Sequence, residues 1–211
     1  MEIHSWYLVF AITVLLIFGI IRRFFKESLK RSVNGFKSSY QAQRDFKGGI
    51  IVYSQFGILA TTLYFLALSF ILFKINLFFN IFYFHNHFFT FLIFLFSLIV
   101  FTYVKILAYL FFGFIIDGYV ITREFIYNWV IIIHILGIVL IPIDIGMAFV
   151  HINIFPYFLW STFIILFFFN LHRIVRGIKI IYNKNFSVFY ILLYFCILEI
   201  IPIIILWRLL N

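Results

Sequence analysis

Six long stretches almost free of charge dominate this sequence and leave it few ways to fold: Ser5–Ile21, Ile50–Phe73, Phe88–Ile116, Phe125–Val150, Phe155–Leu171 and Phe186–Trp207. A helix needs about 20 apolar residues to cross the hydrocarbon of a bilayer, and each stretch reaches or approaches that length. Composition points the same way. The chain is 66% hydrophobic and 11% charged, whereas an ordinary soluble domain carries about a quarter charged residues. No water-soluble core of this size hides so much apolar surface. The sequence therefore predicts an all-α, polytopic membrane helix bundle: a single membrane domain over residues 1–211, with about six transmembrane helices plus a cytoplasmic amphipathic helix. The first stretch reads as a retained anchor rather than a signal peptide, because Arg22 and Arg23 follow the apolar run instead of preceding it. The single cysteine, Cys196, excludes an intrachain disulfide and any multi-cysteine metal site.

Basic residues orient such a bundle, since short cytoplasmic loops are enriched in Lys and Arg. The first connection, residues 22–49, holds eight of them: Arg22, Arg23, Lys26, Lys30, Arg31, Lys37, Arg44 and Lys47. The third connection adds Arg123, and the fifth adds Arg173, Arg176, Lys179 and Lys184. Only Lys74 and Arg208 fall on the other side, and Lys105 sits within the third stretch. Six crossings thus predict both termini in the periplasm, and an odd number between the two main basic connections would split them. The formal charge of +9 is accounted for by topology and anionic lipid, with no nucleic acid among the expected partners.

The first connection is patterned. Phe25, Leu29, Val33, Phe36 and Tyr40 recur at spacings of three and four, while Lys26, Lys30 and Lys37 fall off that face. This is the signature of an amphipathic helix lying in the cytoplasmic interface, with a bend expected near Asn34–Gly35. Its basic residues Arg22, Arg23, Lys26, Lys30, Arg31 and Lys37, together with Arg173 and Arg176, form a candidate surface for membrane lipids or a protein partner.

Ionisable residues at membrane depth are costly and are candidates for function. Lys105, His134, Asp144 and Glu199 qualify. At about 1.5 Å per residue, Lys105 lies roughly 17 Å and Glu199 roughly 20 Å from the cytoplasmic side, with His134 near 14 Å and Asp144 near 29 Å. Lys105 and Glu199 are level, which suggests an ion pair between the third and sixth helices; a proton- or substrate-binding role is the alternative. Thr102, Lys105, Tyr109 and Gly113 share one stripe of the third helix, and Ser54, Gly57, Thr61 and Tyr64 share one of the second. Both stripes are expected to face the bundle interior. Pro142 and Pro202 are expected to kink their helices beside Asp144 and Glu199. His134 reads as a hydrogen-bonded packing residue. His85-Asn86-His87 makes a weak metal pattern, and no phosphate loop, zinc motif or nucleophile elbow is present; no cofactor is expected.

The last stretch carries a resemblance. Phe186 to Pro202, reading FSVFYILLYFCILEIIP, resembles the C-terminal signature of a Bacteroidota family of membrane proteins known as domain of unknown function forty-two seventy-one. His172-Arg173-Ile174-Val175-Arg176-Gly177, Lys105, Asn128 and Leu136 to Pro142 are similar to further features of that family. The resemblance spans most of the chain, implies a bacterial inner-membrane location, and directs attention to Tyr190, Tyr194, Glu199 and Pro202. It supplies no activity.

Two functions compete on this reading. One is a non-enzymatic subunit or scaffold of an envelope complex. The alternative is a small membrane enzyme or carrier for a lipid-linked or amphipathic substrate, or the membrane partner of a soluble lipid-sugar transferase. A polar cavity reaching lipid or cytoplasm would favour the second, and a dry interior would oppose it.

Overall fold

The computed structural model describes residues 5–38, 40–42, 44, 54–79, 81–82, 86–115, 119–150 and 154–182. Its helices are α1 (Ser5–Phe24), α2 (Lys26–Lys37), α3 (Gln55–Phe79), α4 (His87–Ile115), α5 (Tyr119–Phe149) and α6 (Phe155–Tyr182), and no strand occurs among the described residues. All but α2 contain a segment long and apolar enough to cross a membrane: Trp6–Phe24, Gln55–Phe79, His87–Ile115, Thr122–Phe149 and Phe155–Ile180. The protein is an all-α bundle of membrane-crossing helices. The expected sixth crossing, Phe186–Trp207, lies outside the described residues.

Helices α3 and α5 form the centre. In their apolar segments 56% and 61% of residues are buried, against 6% for α4 and 11% for α6. The outer helices instead present large apolar side chains such as Phe96, Leu107, Phe114, Phe163, Phe167 and Trp160 outward, as expected where lipid is the solvent. The central pair approaches closely because Gly137 has no side chain. A Cβ there would meet the backbone N and Cα of Tyr64 at 2.9 Å, the small-residue contact typical of membrane helices. Three residues before each partner, Thr61 Oγ1 and His134 Nε2 lie 3.2 Å apart. The equal offset means that α3 and α5 run parallel.

Contacts at the helix ends define two poles. Trp6 meets Phe73 at 5.2 Å between ring centroids and Phe78 meets Phe155 at 5.1 Å. At the opposite pole Phe25 meets Phe56 at 6.5 Å, Gly113 abuts Thr122, and Gly177 abuts Phe125. Arg22, Arg23, the residues of α2, Arg123, Arg173, Arg176 and Lys179 all belong to this second, basic pole. The first pole is aromatic: Trp6, Tyr7, Phe10, Phe70, Phe73, Phe88 and Phe91 interlock there, mostly edge to face, with Phe10 and Phe70 stacked.

Several residues expected in connections are helical instead. Lys74 lies inside α3, Arg123 inside α5, and Arg173, Arg176 and Lys179 inside α6. Hydropathy marks the hydrocarbon slab, but a helix continues into the interface for as long as its own hydrogen bonds and packing support it. The 28 residues of α6 span about 42 Å, well beyond the roughly 30 Å of hydrocarbon. Lys74 is the sharpest correction, being 1% exposed rather than in solvent. Its Nζ lies 4.0 Å from the centroid of Tyr7 and 5.5 Å from that of Phe70, so the faces of two rings receive the cation. Just beyond, Asn76 clasps the start of the next connection: its Nδ2 donates to the Phe82 carbonyl at 3.2 Å, and its Oδ1 accepts from the Phe82 amide at 2.9 Å.

Candidate functional site

The amphipathic helix begins where α1 stops. Phe25 leaves helical geometry at φ −120° and ψ 30°, which turns the chain, and α2 restarts at Lys26. As the spacing foretold, Phe25, Leu29 and Phe36 pack on the core, whereas Tyr40 is 76% exposed. Phe36 stacks on Phe169 at 5.3 Å and lies 4.4 Å from the His172 ring. The expected bend at Asn34–Gly35 does not occur, because α2 runs unbroken to Lys37. Gly35 serves close approach instead: a Cβ there would press on Ile131 Cδ1 at 3.3 Å. Ser32, also fully buried, lies on the same side.

The end of α2 is held by charge. The last carbonyls of a helix have no partner within it. Here the Asn34 carbonyl takes the Ser38 amide at 2.9 Å, and the Gly35 carbonyl accepts a hydrogen bond from Arg176 Nη2. A cation at this terminus also complements the helix dipole. Arg176 is 5% exposed, a correction to its expected place on an open surface beside Arg173. Beside it, the lack of a side chain at Gly177 lets the Phe125 ring close over that part of α6. With the apolar side and the terminus of α2 fixed, Lys26, Lys30, Arg31 and Lys37 remain exposed, next to exposed Arg22 and Arg23 at the end of α1. The Arg31–Glu27 pair at 4.0 Å is solvent-facing and adds little stability.

Beside this helix, a cleft of 210 Å³ opens between α3, α5 and α6, lined by Tyr64, Trp129, Leu136, Leu166, Asn170 and Arg173 among others. Arg173 and Tyr64 both line it, from α6 and α3. The wall combines apolar side chains with the polar groups of Tyr64, Trp129, Asn170 and Arg173. A sequence reading passed over Asn170 and Trp129 because neither is charged; the signal was Asn170 and Arg173 at i and i+3, on one face of α6.

The intramembrane candidates separate. Lys105 is partly buried, with Nζ 5.9 Å from the Tyr109 centroid and 5.7 Å from that of Trp129. Tyr109 and Gly113 are buried, so that stripe faces inward as expected. His134 is fully buried, bonded to Thr61 and edge-on to Phe56 at 5.4 Å, as a packing histidine should be. Asp144 is fully buried and neither carboxylate oxygen has a hydrogen-bond partner. The structure does not bring Lys105, His134 and Asp144 into one site. Tyr190, Tyr194 and Glu199 lie outside the described residues, and with them the proposed Lys105–Glu199 pair. Asn128, singled out only by resemblance, donates from Nδ2 to the Glu124 carbonyl at 2.9 Å.

Comparison with curated proteins and with solved structures finds no match. Residues 7–210 match the family described as Domain of unknown function (DUF4271). That span takes in α1 from Tyr7 and all of α2 to α6, and the chain belongs to this family.

Proposed function

We propose that the protein is a multi-pass subunit of a bacterial inner membrane that holds a partner protein of an envelope complex against its basic pole, without catalysing a reaction. The basic pole faces the cytoplasm in this reading, following the bias of Lys and Arg, and both termini are periplasmic. The observation that carries the proposal is the fixing of α2. A helix that merely rests in lipid needs only its amphipathic face. Here the Gly35 contact with α5 and the Arg176 cap from α6 also set its rotation and direction. A rigid row of cations so presented suits an acidic protein surface, where charge complementarity sets orientation and association rate.

A photo-crosslinking amino acid in place of Lys30 or Lys37, used in living cells of the native host, tests this. A discrete protein adduct, weakened when Lys26, Lys30 and Arg31 are changed together to Glu, is the expected result. Adducts to lipid alone would refute it. The cleft at Arg173 favours a second reading, in which the chain handles a lipid-linked or amphipathic substrate.

A further inference from the structure

The cleft between α3, α5 and α6 combines three properties. Its mouth, at Arg173, is level with the headgroup boundary, and its inner wall at Leu136 is deeper. Arg173 lies two residues past Leu171, the end of an apolar run, or about 3 Å along the helix. Trp129 lies four residues inside the run that starts at Phe125, or about 6 Å. Its chemistry is divided: Arg173, Asn170, Tyr64 and Trp129 carry hydrogen-bond donors, while Ile132, Leu136, Leu166 and Phe169 form an apolar wall. Its size is restrictive. At 210 Å³ it is smaller than the roughly 300 Å³ at which sites for whole small-molecule ligands begin. It admits one headgroup and leaves acyl chains outside, where Phe167 and Phe168 are 65% and 62% exposed on α6.

We infer that this cleft binds the phosphate-bearing headgroup of an anionic lipid from the leaflet at the basic pole. Arg173 supplies the planar pair of donors that suits a phosphate, and Asn170 adds an amide donor at the rim. Tyr64 and Trp129 contribute donors from the inner side while their rings extend the apolar wall. The inference supplies a ligand class for the second reading above and does not depend on a partner at α2. A failed crosslinking experiment leaves it intact, and its own failure leaves α2 untouched.

Native mass spectrometry of the detergent-purified full chain, exposed to equal amounts of phosphatidylglycerol and phosphatidylcholine, tests the assignment. Wild type should retain phosphatidylglycerol preferentially. Arg173→Gln should lower that retention about tenfold or more, the scale of a charge-assisted hydrogen bond, and Asn170→Ala should lower it by less. Lys179→Gln, which removes an exposed charge at the same pole outside the cleft, should retain the lipid. Asn170 is exposed, so its variant keeps the test valid should Arg173→Gln fold poorly. Equal retention of the two lipids would overturn the assignment, as would equal losses in Arg173→Gln and Lys179→Gln. Displacement by millimolar inorganic phosphate would also overturn it, placing the site in the service of a soluble phosphate compound.

Discussion

The central packing contact gives a prediction with a computable sign. Replacing Gly137 by Ala puts a methyl group 2.9 Å from both the backbone N and Cα of Tyr64, where ordinary contact is 3.4–4 Å. Backbone atoms cannot rotate aside, so α3 and α5 must separate by at least about 0.5 Å. Overpacking of this kind costs about 1–3 kcal/mol, and the better helix propensity of Ala returns up to about 1 kcal/mol. The net is a loss of up to about 3 kcal/mol, and in a chain of this size each kcal/mol moves Tm by about 2–4 °C. Thermal unfolding in mild detergent should therefore show a decrease of up to about 12 °C. Gly19→Ala is the matched control, because nothing lies within 4 Å of a Cβ at that position. It should be neutral or stabilising by up to about 1 kcal/mol. If the two variants melt together, the close contact of α3 with α5 is wrong.

The other predictions concern single side chains. Asp144→Leu removes two buried oxygens without hydrogen-bond partners and should stabilise the protein by about 1–3 kcal/mol; a lower Tm would show that Asp144 has a partner it needs. A double-mutant cycle of Lys74→Met with Tyr7→Leu should return a coupling of about 0.5–2 kcal/mol in thermal unfolding, from the cation–ring contact. Additive effects would remove that contact. Asn76→Ala breaks both bonds to Phe82 and should raise chymotrypsin cleavage there while the bundle stays folded; an unchanged cleavage rate would contradict the clasp.

Much of the fold was legible because lipid simplifies the code. Among the described residues, five helices long and apolar enough to cross a membrane appear where long apolar runs lie, and α2 appears where Phe25, Leu29 and Phe36 recur at helical spacing. The stripe ending in Tyr109 and Gly113 points inward because those residues suit a helix interface and their neighbours suit lipid. What hydropathy misses is where a helix stops. Lys74 reads as a break, yet the ring of Tyr7, from a distant part of the chain, shelters it together with that of Phe70. Arg176 reads as one of several loop cations, yet a bare carbonyl at Gly35, far away in sequence, draws it inward. The bend assigned to Asn34–Gly35 failed for a related reason: glycine permits both a turn and a close contact, and only the position of Ile131 decides between them. The cleft is harder still, since its lining comes from three helices whose rotations no single run specifies.

The central claim is that α2 is fixed to the bundle by Arg176, and hydrogen–deuterium exchange of the full chain in lipid nanodiscs tests it most directly. Amides over residues 29–37 should exchange slowly in the wild type. They should exchange at least about tenfold faster in Arg176→Met, equivalent to about 1.4 kcal/mol, while α3 and α5 keep their protection. Exchange in α2 at the rate of a free peptide, or protection unchanged by the substitution, would contradict the account.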